Sequence, residues 1–123
     1  MGSRSSVAHA FAAARIAYGV ALVADPRRTA RNWLGEGMEH GAARVGARAL
    51  GARDALLSAG LVDALRRDRD PRPWLLALSA SDLVDIGATV SDREHLPTRA
   101  ATATALVAGG FSLCGLGLAL AFS

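Results

Sequence analysis

Apolar positions in this chain gather into four long runs separated by short polar connections. The runs cover residues 7–24, 41–65, 74–90 and 100–122. Each approaches or exceeds the roughly 20 residues that an α-helix needs to cross a bilayer. The last run carries no charged residue and is the clearest span. A secretory leader competes for the first run, with Arg4 ahead of it and cleavage after Ala24. Arg15 interrupts its apolar stretch, however, and bulky Leu22 stands three positions before the cut.

The connections carry helix signals of their own. Asp25-Pro26 offers an N-cap followed by proline at the first helical position. Residues 26–34, PRRTARNWL, then read as a short interfacial helix. Arg27, Arg28 and Arg31 meet lipid phosphates, and Trp33 dips toward the hydrocarbon. Gly35-Glu36-Gly37 stops this helix, and Asp70 is the expected N-cap of the element after the charged turn at residues 66–73. The pattern predicts an all-α fold, an antiparallel four-helix transmembrane bundle with a short interfacial helix between its first two spans. It forms a single domain over residues 1–123.

The second run sets the terms for the others. Ala43, Ala47, Gly51, Ala55 and Ala59 recur every fourth position, a smooth stripe against which another helix can pack closely. Arg44, Arg48, Arg53, Asp54 and Asp63 fall at about 0°, 40°, 180°, 280° and 100° around the same helix, so no single wet face holds them. In the last run Gly109, Gly110, Gly115 and Gly117 are likewise expected at helix contacts. The only cysteine, Cys114, is expected to be a small packing residue.

Composition changes this picture only modestly. The formal net charge is +3, and all 14 basic residues are arginine. Acids are interleaved with them, and no basic stripe carries alternating aromatics, so no nucleic-acid partner is expected. An arginine-only, alanine-rich chain fits a GC-rich bacterial genome and hence a multi-pass protein of the bacterial cell membrane. The connecting arginines divide almost evenly between the two sides of the bundle, and the positive-inside rule assigns no orientation.

The distinctive chemistry is charge at mid-depth. Arg15, Arg53, Asp54 and Asp82 fall near the centres of their spans; Arg48 and Asp85 lie further toward the side of the first and third connections. Each central charge costs about 2.5–3.5 kcal/mol to insert, so the second run needs partners from the other spans. Asp82 and Arg53 are the expected pair. Three arginines then balance three aspartates, which favours a structural network that fixes helix register. A polar cavity that binds a ligand or relays protons is the alternative.

Other chemistry is thinly supported. Asp82 and Asp85 form a DxxD spacing that could hold Mg²⁺, but no second acidic motif accompanies it. His40 and His95, with Glu36, Glu39 and Glu94 nearby in sequence, lack the spacing of a metal site. No nucleophile triad, Walker loop or dinucleotide fingerprint occurs. No catalytic residue, metal or cofactor is therefore assigned.

The segments LVADPRRTARNWL at residues 22–34 and RALGARDAL at residues 48–56, with SASDLVDIGAT at residues 79–89, carry a resemblance. The chain resembles an uncharacterised actinobacterial family of small four-helix integral membrane proteins. The resemblance implies topology and no activity. The expected function is that of a small membrane protein without catalysis, a structural or partner-binding subunit that self-associates or joins another membrane protein. The alternative is a membrane-embedded small-molecule binder, transporter or enzyme using Arg15, Arg48, Arg53, Asp54, Asp82 and Asp85. A closed, dry ion-pair network favours the first, and a bound ligand or a water-filled pocket beside these residues favours the second.

Overall fold

Helix-forming alanine and leucine dominate the chain, and proline falls only at helix starts or between helices. The result, in a computed structural model, is an all-helical protein. The structure describes residues 2–34, 40–96 and 98–123, and the side chains of these except residues 31–34 and 95. The helices are α1 (Ser3–Ala24), α2 (Pro26–Leu34), α3 (Gly41–Arg66), α4 (Arg72–Ser91) and α5 (Thr98–Ala121), with a 3₁₀ turn at Arg93–His95. Three of them, α1, α4 and α5, are long and apolar enough to cross a membrane.

The joints follow their local chemistry. Asp25 alone separates α1 from α2. The proline after it disfavours helical backbone at this residue, and its side chain accepts the Arg28 amide at 3.2 Å as an N-cap. At the end of α3, the Arg69 amide reaches back to the Ala64 carbonyl at 2.8 Å, and Asp68 sits in the left-handed region at φ 52°. This is the 6→1 bond of a Schellman stop, with aspartate where glycine is usual. Asp70 differs from its expected role by one residue. Pro71 occupies the cap of α4, and Asp70 instead accepts the Arg72 amide and guanidinium, which hold its exposed carboxyl below the usual carboxylate range.

Two helix pairs pack most extensively, α1 along α3 and α4 along α5. The first is closest at two glycines. A Cβ built on Gly19 would lie 2.5 Å from the Gly51 carbonyl oxygen, and one on Gly51 would lie 2.5 Å from that of Gly19. Leu22, Ala30 and Ala47 close over this crossing and bring α2 against both helices. In the second pair Ser79 and Ser112 exchange hydroxyl-to-carbonyl hydrogen bonds at 3.1 and 3.3 Å, and Gly115 lets the Ser79 hydroxyl approach. The pairs join through Phe11, Leu61, Leu75, Leu78 and Leu118 toward the end where Arg4 donates to the Ala121 carbonyl.

Several packing expectations need correction. The small-residue stripe leaves the interface at Ala59, which is exposed, while Ser58 is buried. A four-residue step advances about 40° beyond a full turn, so a strict i+4 row winds off any straight contact. Of the α5 glycines only Gly115 sits against a neighbour; among the described residues a Cβ on Gly109, Gly110 or Gly117 would meet nothing within 4 Å. Cys114 is exposed on the outside of α5, because the packed side of this helix runs through Ser112, Gly115, Leu118 and Ala119.

Candidate functional site

Arg15 is the centre of the site. It points from α1 into the interior and is 3 % exposed. Its Nε and Nη2 donate to Asp54 Oδ1 on α3 at 2.9 and 2.5 Å. Its Nη1 and Nη2 donate to Asp82 Oδ2 and Oδ1 on α4, each at 2.7 Å. The second contact is a bidentate fork, the strong geometry for a guanidinium and a carboxylate. Phe11 and Phe111 flank the same group, with ring centroids 5.5 and 5.0 Å from its Cζ. Their π faces add attraction in a desolvated setting. Four helices thus meet on one cation.

A second pair lies beside this cluster. Arg53 Nη2 donates to Asp85 Oδ2 at 2.6 Å, linking α3 to α4. Adjacent residues on a helix diverge by about 100°, so Asp54 can turn toward α1 while Arg53 turns toward α4. Asp82 and Asp85 are three positions apart and share a face, which lets α4 answer both arginines. Arg53 Nε is buried and has no acceptor among the described residues.

This arrangement corrects the expected pairing. Asp82 takes Arg15, not Arg53, because the long Arg15 side chain crosses from α1 although α1 and α4 scarcely pack together. Arg48 stands outside the network. It is exposed and donates from Nε to the Val23 carbonyl at 3.1 Å, at the end of α1. The even balance of three arginines against three aspartates therefore does not hold at the site.

The expected interfacial residues are only partly described. Arg27 and Arg28 are exposed on α2, and Arg28 lies 3.9 Å from Asp25. The side chains of Arg31 and Trp33 lie outside the described residues, as do Glu36, Glu39 and the His95 side chain. Among the described residues no three histidine, cysteine or acidic side chains gather as metal ligands.

Sequence reasoning missed a cavity. A space of about 460 Å³ lies among α1, α3, α4 and α5, with Arg15, Arg53, Asp54, Asp82 and Asp85 on its wall. Leu50, Val107 and Phe111 line it with small residues that include Ala88, Ala103 and Ala108. The sequence held one usable signal: three of the α5 positions that line the space, Ala103, Thr104 and Ala108, carry side chains too short to fill it. The volume falls within the range of small-molecule sites. No family model, no curated protein and no solved structure matches this chain.

Proposed function

We propose that this protein is a multi-pass membrane protein, an antiparallel four-helix bundle, that binds a small molecule beside its Arg/Asp network. The observation that carries the reading is the cavity of about 460 Å³ opening on arginine and aspartate side chains inside an apolar exterior. Charge and apolarity are inverted relative to a water-soluble helical protein. Arg15 and Asp82 are each 3 % exposed, whereas Leu106, Leu113 and Leu120 are 72–75 % exposed. Lipid is the solvent that suits such a surface.

The same inversion argues that α3 spans as well, despite its charges. Between residues 45 and 59 its exposed positions are uncharged except Arg48, which donates to the Val23 carbonyl, while Arg53 and Asp54 are turned to partners. A bundle position for α3 also explains why its insertion needs the other helices. The bacterial cell membrane is the location this reading takes from the arginine- and alanine-rich composition.

A pocket favours ligand binding over a purely structural network. A network that only fixes register gains nothing from a cleft beside it, since space that side chains leave unfilled costs packing contacts. Two measurements test the reading. The chain should stay in the membrane pellet after an alkaline carbonate wash; release would overturn the membrane assignment. Protein in phosphatidylcholine nanodiscs should bind the neutral fluorescent probe N-phenyl-1-naphthylamine saturably, about one per chain, above empty nanodiscs. Ala108→Phe should abolish that binding, and no saturable binding to the unmodified protein would overturn the pocket.

A further inference from the structure

The charges on the cavity wall do not cancel. Arg15 and Arg53 face Asp54, Asp82 and Asp85, and among the described residues every other lining side chain is uncharged at neutral pH. Arg48, which would restore the balance, is held at the end of α1 by the Val23 carbonyl. Two guanidiniums thus answer three carboxylates. The surplus sits where one cation, Arg15, is shared between Asp54 and Asp82, while Asp85 has Arg53 to itself.

We infer that the cavity takes a monovalent organic cation with an apolar body. An uncompensated charge within a low-dielectric interior is costly, and an occupant of opposite sign removes that cost. Asp54 engages Arg15 through Oδ1 alone, and Asp85 engages Arg53 through Oδ2 alone. Each retains an oxygen with which to meet a positive group. The rest of the wall, with Leu50, Val107, Phe111 and the alanines, suits hydrocarbon or aromatic substituents. The buried Arg53 Nε adds a donor for one neutral acceptor atom on the same ligand. An anion would face three carboxylates and find both guanidiniums already engaged. This inference rests on the pocket proposed above and adds the sign of its ligand.

The test uses two ions of nearly the same size and shape, tetraphenylphosphonium and tetraphenylborate. Each is titrated against N-phenyl-1-naphthylamine bound to the full chain in phosphatidylcholine nanodiscs. Free ion concentrations are fixed by dialysis, with empty nanodiscs as the background. The phosphonium should displace the probe at about tenfold lower free concentration than the borate, equivalent to about 1.4 kcal/mol of preference. Asp54→Asn removes the surplus charge but leaves the Arg15–Asp82 fork, and should erase the preference while still binding the probe. Asp85→Asn is the second variant, should Asp54→Asn fail to fold, and should erase it likewise. Equal displacement by both ions, or stronger displacement by the borate, would overturn the cation assignment and leave the neutral pocket standing. A preference unchanged in both variants would overturn it too, by placing its source outside these carboxylates. Absence of saturable probe binding to the unmodified chain would remove the pocket itself.

Discussion

Arg15 shows how one residue can set conditions for four helices. Its guanidinium is buried, so its stability depends on Asp54, Asp82 and the two flanking phenylalanine rings. Removing the cation strands two buried carboxylates. Arg15→Met should therefore destabilise the protein in detergent by about 3–5 kcal/mol, as removal of one partner of a buried pair does. The triple variant Arg15→Met, Asp54→Asn, Asp82→Asn should recover most of that loss. Thermal melts of the single and triple variants decide the matter, and equal losses in both would show that the ion pairs are not the source. Arg53 and Asp85 form a separate, more accessible pair, 35 % and 23 % exposed at the side chain, and their loss should cost less. The residue types were legible in the sequence. Their partners were not, because depth along a helix orders charges by height but does not say which helices face one another.

At the scale of the element, local signals wrote most of the helix boundaries. The run at residues 41–65 became Gly41–Arg66, and PRRTARNWL became α2 at Pro26–Leu34. Asp25 caps as its position before proline implies. The α3 stop was not legible, since the left-handed residue is Asp68 in a charged turn where no glycine marks it. Glycine adopts that conformation without the steric cost that a Cβ imposes. Asp68→Gly should accordingly raise stability by about 0.5–1 kcal/mol with no change in helix content. Denaturation in mixed micelles followed by circular dichroism measures this; a loss of stability would mean that the Asp68 carboxylate contributes more than its backbone strain costs.

For the whole molecule, the arrangement of helix pairs shapes the proposed site. The α1–α3 crossing at Gly19 and Gly51 and the α4–α5 contact at Ser79, Ser112 and Gly115 are close. Between the two pairs the ion pairs Arg15–Asp82 and Arg53–Asp85 bridge a seam that small side chains leave partly open. The proposed bundle also fixes sidedness. The turn at residues 67–70 lies with the start of α1 and the end of α5, and the turn after Ser91 lies at the opposite end. In a Cys114→Ser background, Arg69→Cys and Asp92→Cys should react with an impermeant maleimide from opposite faces of sealed vesicles. Labelling of both from one face would reject the four-span arrangement.

The sequence by itself determined the lengths and order of the helices, the apolarity of α1, α4 and α5, and the height of each charge along its own helix. These are properties of consecutive residues, read through helical rise and hydrophobic run length. Tertiary structure alone decided that Asp82 answers Arg15, that Arg48 leaves the interior for the Val23 carbonyl, and that Gly115 but not Gly117 meets a neighbour. It also decided that a cavity remains beside the charges. Each of these depends on how helices are rotated about their axes and which ones adjoin. That rotation is set jointly by the glycine crossings, the ion pairs and the fit of side chains from different helices, so no single stretch of sequence contains it.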